Sequence, residues 1–312
     1  MDWSPECLEP PAATPNALTR PAISVGVPVY NGTRYLRSAV ESLLAQSFDD
    51  FDLTISDNAS TDDTPEICAE FVRRDRRIRY VRQTQNIGGP RNWSFLARQA
   101  QGHYFKWAAA NDVCHRDMLL KCKWALDAQP NAVLVFPRTQ IINEMGQPAE
   151  VYDDVLELID PDPCKRFVQL LTRIGLNNAQ HGLIRTSALL QTGLEAPYRA
   201  SDITLLAELA LHGTFVQVPE VLFYRRVAPG ATTLLQTPAE VRYFNDPLRR
   251  HGASFPLWRA RLGLMAAVWR APLTALQRTR LRLFVVRQIY GHRDCLWKEA
   301  IEELRLRLGG FA

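Results

Sequence analysis

A chain of 312 residues, 46% of them hydrophobic, is long enough to bury a core as one large domain or as a domain with an appendage. Its formal net charge of +4 is too small to argue for nucleic acid, and with no zinc-finger spacing, RNP-like motif or basic heptad region, no nucleic-acid partner is expected. The six cysteines, at 7, 68, 114, 122, 164 and 295, have neither metal-site pairing nor the density of a disulfide scaffold, which reads as free thiols in a reducing compartment.

Residues 1–21 hold several prolines and almost no apolar periodicity, so a flexible tail is expected there. The opening MDWSPECLEP carries acids where a signal peptide needs bases, and no apolar run approaches a membrane span, so the expected location is cytoplasmic. From Ile23 the chain alternates strands and helices. Ile23, Val25 and Val27 alternate with small residues, a short buried strand, and Leu36, Val40, Leu43 and Leu44 then repeat at helical spacing. A second strand over 53–57 precedes Asp63-Thr-Pro-Glu66, where Asp63 or Thr64 caps a helix with Pro65 at its first position. A third strand is expected over 78–81, a helix opening at Gly88-Gly89-Pro90, and a fourth strand over 104–108. Such repetition predicts an α/β fold, a mainly parallel, Rossmann-like sheet flanked by helices.

Beyond 132–136 the alternation weakens. A hairpin is expected around Asn143-Glu-Met-Gly146, helices near 163–172 and 201–212, and strands near 214–218 and 221–227. From about 241 the chain becomes helical and basic, with 13 Lys or Arg against 4 Asp or Glu between Arg249 and the end, and Trp258, Trp269, Phe284 and Trp297 interleaved. That region either lies on an anionic membrane surface, as a peripheral contact, or packs on the domain or a second subunit.

In an open sheet of this kind ligands sit beyond the carboxyl ends of the strands. Three polar turns fall there: Pro28-Val-Tyr-Asn31, Asp57-Asn-Ala-Ser-Thr61 and Asn111-Asp112. The first turn is neither a dinucleotide-binding GxGxxG nor a P-loop, which sets aside hydride transfer and P-loop phosphoryl transfer. At Gly88-Gly89-Pro90-Arg91-Asn92 the glycines permit close backbone approach, the helix start directs N–H groups toward an anion, and Arg91 adds a fixed charge. An ordinary surface arginine is the alternative.

VGVPVYNG (25–32), ISDNASTDDT (55–64), QNIGGPRN (85–92) and the acid-bearing stretch after FKWAAA (105–110), in this order and spacing, resemble the family 2 glycosyltransferases over residues 22–230. The resemblance implies a GT-A fold over 22–240, with a nucleotide-binding half (22–115), an acceptor-binding half (116–240) and a helical C-terminal extension (241–312). It implies inverting transfer of a sugar from a nucleotide sugar, UDP-linked first and TDP- or GDP-linked as alternatives, to an acceptor hydroxyl.

Residue by residue, the resemblance puts Asp57 on the pyrimidine ring with Asn58 beside it, Pro28, Val29, Tyr30 and Asn31 around base and ribose, and Gly88, Arg91 and Asn92 toward the phosphates. Asp57 equally suits an Asx-turn. Asp112 matches the acid that binds Mg²⁺ or Mn²⁺, while Asn111 stands where a further acid is common. One carboxylate can suffice for magnesium, at weaker affinity. Ala228 replaces a histidine found in relatives, so Arg225 and Arg226 are candidates to neutralise the diphosphate, with solvated strand-end charges as the alternative. Asp202 matches the general base, in a helix first turn that would favour an acid anyway, with Ser201 as a possible cap. Gln180, His181 and Tyr198 are candidates for the acceptor pocket. Two rival classes stay open: a non-catalytic nucleotide-sugar-binding assembly subunit, and a nucleotidyltransferase.

Overall fold

The structure is a computed structural model and describes residues 6–8, 20–227, 237–249 and 255–308. Ala228 lies outside those residues. Its first half is built from β1 (Glu6–Leu8), β2 (Ile23–Val29), α1 (Leu36–Leu44), β3 (Phe51–Asp57), α2 (Thr64–Arg74), β4 (Ile78–Arg82), α3 (Gly89–Gln99) and β5 (Tyr104–Trp107). The second half adds β6 (Val113–Cys114), α4 (Met118–Ala128), β7 (Ala132–Ile142), β8 (Pro148–Tyr152), α5 (Pro163–Arg173), a 3₁₀ turn (Asn178–His181), β9 (Leu183–Arg185), α6 (Thr186–Leu189), α7 (Ser201–His212) and β10 (Thr214–Arg226). The helices α8 (Pro238–Asn245), α9 (Pro256–Arg270), α10 (Ala275–Gly291) and α11 (Arg293–Leu308) follow.

One sheet runs β1-β4-β3-β2-β5-β9-β7-β10-β6, with β8 paired to β7. The strands β4, β3, β2 and β5 are mutually parallel, as the alternation with helices requires. The second half is mixed: β10 is parallel to β7, whereas β9, β8 and β6 pair antiparallel. Within the stretch expected to be a flexible tail, Glu6–Leu8 pairs antiparallel with β4. The two strands expected near 214–218 and 221–227 are one strand, β10, whose register against β7 shifts between Val218 and Val221. Pro219 has no N–H for the ladder, and the strand bulges past Pro219 and Glu220, both exposed, without turning back.

Alternation in β2 explains how the sheet is covered. Ile23, Val25, Val27 and Val29 pack into a core with Leu36, Val40 and Leu43 of α1, Phe71 of α2 and Leu119 of α4. Among the intervening residues, Gly26 lacks a side chain where α3 lies close above it. A Cβ on Gly26 would stand 2.9 Å from the Leu96 Cβ and 3.0 Å from the Phe105 ring. On that second face Phe95, Phe105, Trp107, Phe167 and Leu206 form the other core. Leu264 and Val268 of α9 and Leu281 and Val285 of α10 join it, so the basic C-terminal helices pack on the domain. Their outward side chains, including Leu276, Leu283, Tyr290 and Trp297, stay exposed. Among the described residues no helix is long and apolar enough to cross a membrane.

Candidate active site

Because β2, β3 and β5 are parallel, their C-terminal ends bring Val29–Asn31, Asp57–Ser60 and Ala108–Asp112 to one edge. At β3 the Asp57 carboxylate is fully buried, accepting from the Ser60 N–H (2.8 Å) and the Tyr80 O–H (2.7 Å), with the Arg82 Nε 3.8 Å away. The carboxylate thus closes the loop after β3 onto the N–H three residues on, with Ala59 in the left-handed region at φ 60°. Burial, then the hydrogen bond to Asp57 and its charge, push the Tyr80 hydroxyl pKa well up, so it stays a donor. Asn58 accepts from the Ile87 N–H and donates to the Asn86 Oδ1. Asn31, at φ 51°, donates its N–H to the Ser60 Oγ and accepts from the Thr61 N–H. The turn is a closed web that fixes its own shape. Pro28 and Val29 are buried in β2, whereas Tyr30 is 38% exposed and its hydroxyl lies 2.8 Å from that of Tyr243.

The glycine turn has a different neighbour from the anion its sequence suggested. Gly88, at φ 87°, faces the Asn245 carbonyl and Pro247, each 2.8 Å from where a Cβ would sit, and a Cβ on Gly89 would be 2.4 Å from the Phe244 ring. Only glycine admits the end of α8 this close. Arg91 donates to Asp246 (2.7 Å) and to the Ile87 carbonyl. Asn92 points inward, donating to the Ser56 carbonyl (2.9 Å) and accepting from the Ser56 Oγ–H (2.5 Å). It ties α3 to β3 and presents no group to the cleft.

At the end of β5, residues 111 and 112 are locked to β10. The Asp112 Oδ1 accepts from the Arg226 N–H (2.8 Å), the Arg226 Nε donates to the Asn111 carbonyl (3.0 Å), and the Asn111 amide reaches the Arg226 carbonyl (3.4 Å). Burial raises the Asp112 pKa to about 6, against the opposing pull of the Arg226 N–H and the charges of Arg225, Lys106 and Arg226. Arg226 is itself buried: Nη1 donates to the Asn143 and Glu144 carbonyls, and the guanidinium lies 4.7 Å from the Tyr35 ring centroid. Its charge is committed to the turn between β7 and β8, so a direct clamp on a diphosphate is not its arrangement here. Lys106 is fully buried, donating to the His181 and Trp107 carbonyls.

Mg²⁺ and Mn²⁺ favour an oxygen-rich shell. The described residues offer one carboxylate with one oxygen already used, a committed amide at Asn111, and three cationic groups around them. Among the described residues no group of three or more His, Cys, Asp or Glu side chains could hold a metal ion. Magnesium commonly takes one or two carboxylates together with phosphate oxygens and waters, so Asp112 is the described side chain that would hold a divalent ion jointly with a donor diphosphate.

The second cluster lies where α7 begins. Ala200 is in the left-handed region (φ 64°) at the helix cap, so the expected Ser201 cap is replaced by a backbone turn. Asn177, also left-handed at φ 59°, donates from Nδ2 to the Asp202 Oδ2 (2.7 Å) and the Gln180 Oε1 (3.0 Å). Gln180 in turn donates to the Glu195 Oε1 (2.5 Å). Burial, then the charge of Asp202, raises the Glu195 pKa well above the usual carboxylate range. His181 is stacked on Phe223 (5.0 Å) beside Trp93 (5.7 Å), and burial with the charges of Lys106 and Arg225 lowers its pKa well below the usual value. It is a neutral core side chain. Tyr198 packs under α9, its hydroxyl 2.1 Å from where a Gly263 Cβ would be, with Arg259 over its ring. The two clusters are joined by Arg225, which donates to the Leu176 carbonyl and the Asn178 Oδ1, on either side of Asn177.

Sequence reasoning missed Tyr80, Arg82, Lys106, Asn177, Glu195, Tyr243 and Asp246. Lys106 alone carried a signal, a lone cation in an apolar strand.

The family described as glycosyl transferase family 2 matches residues 24–182. Glycosyltransferase GlyG of Streptococcus pneumoniae serotype 4 is 32% identical over 97 residues, 31% of this chain and 32% of GlyG. The putative glycosyltransferase EpsH of Bacillus subtilis is 33% identical over 98 residues, 31% of this chain and 28% of EpsH. The chain thus matches about a third of these relatives' length. Among solved structures, residues 1–349 of S. aureus TarS in complex with UDP superpose with a TM-score of 0.62 at 16% identity, over 86% of this chain and 72% of that one. The mannosyltransferase PcManGT from Pyrobaculum calidifontis, in complex with GDP-Man and Mn²⁺, gives 0.51 at 15% identity, over 97% and 90%.

Proposed function

The chain belongs to glycosyl transferase family 2, and from that premise we propose that it transfers a sugar from a UDP-linked donor to an acceptor hydroxyl with inversion, Asp202 acting as general base. The acceptor oxygen attacks the anomeric carbon as Asp202 takes its proton. The bond from that carbon to the diphosphate oxygen breaks, and UDP leaves with the electron pair. The nucleoside sits against Tyr30 and the turn shaped by Asp57, Asn58 and Asn31, with Arg82 at its margin. Arg225, with buried Lys106 and Arg226 behind it, supplies fixed positive potential for the charge developing on the diphosphate. A divalent ion held by Asp112 and the diphosphate would add to that positive potential.

One observation carries this reading: the end of β10 reaches both clusters, the Arg226 N–H bonding Asp112 and the neighbouring Arg225 bonding Leu176 and Asn178, which flank the Asn177 that holds Asp202. It supports a donor end and an acceptor end belonging to one site. His181 is enclosed by rings and its lowered pKa makes it a weak base, and Glu195, fully buried with its pKa raised by burial and by the Asp202 charge, is held by Gln180, which favours Asp202 as the acceptor of the proton at that end. The UDP bound by TarS supports UDP as the first donor to test, and the GDP-Man of PcManGT keeps GDP and TDP sugars in the panel.

The test is UDP release from a UDP-sugar panel, with and without acceptors, together with UDP titration of wild type and Asp202→Asn. Asp202→Asn is expected to lower turnover at least 100-fold, at the lower end of general-base contributions, with UDP affinity unchanged. Turnover retained in that variant reassigns the base. Tight UDP binding without turnover by the wild type favours the binding-subunit reading.

A further inference from the structure

One short segment, residues 237–249, touches three residues expected to face the donor. It carries its own helix start, a capping box in which Thr237 and Glu240 bond reciprocally. Phe244 and Pro247 fill the space above Gly89 and Gly88, and Asp246 pairs with Arg91 (2.7 Å), with Arg259 at 3.9 Å behind it. These contacts fix the C-terminal end of α8 on the start of α3. One turn earlier, Tyr243 extends to Tyr30: their hydroxyls are 2.8 Å apart, their ring centroids 6.3 Å, and their planes inclined at 57°.

The two rings therefore meet at their tips while their faces stay wet, with Tyr30 38% and Tyr243 51% exposed. Asn31 and Asn86 bring amide groups to the Tyr30 hydroxyl. Aromatic faces beside amide donors and acceptors suit a planar heterocycle with a hydrogen-bonding edge. An α8 that merely blocked the site would cover the Tyr30 ring, and it does not.

We propose that Tyr243 is a nucleoside-binding residue, forming with Tyr30 the aromatic walls of a base pocket completed by α8. This rests on the nucleotide-sugar reading above. It also accounts for Gly88, Gly89 and Arg91: they seat α8, and so aim Tyr243 at Tyr30.

The experiment is calorimetric titration of UDP and of uridine into wild type, Tyr243→Ala, Tyr243→Phe and Tyr30→Ala. Both rings are exposed, so these variants leave the cores intact, which circular dichroism checks. Base stacking on an aromatic ring predicts that Tyr243→Ala weakens UDP and uridine by the same factor, about tenfold, while Tyr243→Phe keeps most of the affinity. Wild-type affinity, or a gain, in Tyr243→Ala while Tyr30→Ala loses binding overturns the proposal and leaves the donor reading standing. A wild type that binds neither UDP nor uridine overturns both.

Discussion

Burial works against Asp112. Its carboxylate is shut behind the end of β10, and desolvation outweighs the pull of three nearby cations, so the group titrates near 6 instead of 3.8. The folded state then holds the proton more tightly than the unfolded chain between about pH 4 and 6. This contribution to stability is greatest below that window and falls as pH rises through it, by about 3 kcal/mol for a shift of this size. Asp112→Asn keeps an oxygen for the Arg226 N–H and removes the buried charge. The variant should melt higher than wild type at pH 7.5 and at the same temperature near pH 4. An equal difference at both pH values would mean that the charge is not what sets the effect. The same residue shows how far the site was legible. Sequence placed Asp57, Asp112 and Asp202 at strand and helix ends, because polar residues between apolar runs stand out. It could not show where each oxygen points, since their partners are Tyr80, Arg226 and Asn177, the nearest 23 residues away. Glu195 lies in an irregular loop with no pattern to mark it, and its link to Asp202 exists only through Gln180 and Asn177.

Elements were readable where contacts are local. The parallel strands β2, β3 and β4 are each followed by a helix with a clear apolar face, and α7 falls at the expected 201–212. The short strands β1, β6 and β9, two or three residues each, have too little sequence for a period-two pattern. The two strands expected near 214–218 and 221–227 are joined in β10, where Pro219 sits in a bulge. Gly26 shows what the strand–helix contact demands, since α3 approaches β2 over a missing side chain. Gly26→Ala must push Leu96 or the Phe105 ring aside, and overpacking of this kind costs about 1–3 kcal/mol. Urea unfolding should show the midpoint fall with an unchanged slope. A variant as stable as wild type would mean that α3 sits less closely on β2 than the structure has it.

Across the chain, the basic composition after residue 240 left open a membrane contact or packing on the domain, and Leu264, Val268, Leu281 and Val285 pack into the domain's core. α9 is held to α7 by Arg270, whose Nε and Nη2 each lie 2.8 Å from an oxygen of the buried Glu208 carboxylate. The paired geometry matters, because Glu208 is 1% exposed and a carboxylate that deep is tolerated only with charge-assisted partners. α10 adds Leu281 and Val285 to the core shared with α5 and α7. If domain and C-terminal helices share one core, they unfold together. Leu281→Ala, at a site 1% exposed, should lower stability by about 2–5 kcal/mol, and circular dichroism and tryptophan fluorescence should still report one coincident transition. Tryptophans on both sides make the comparison direct, Trp107 in the sheet and Trp258 in α9. Two separated transitions, or an early step confined to helical signal while Trp107 stays buried, would show that the C-terminal helices are a unit of their own.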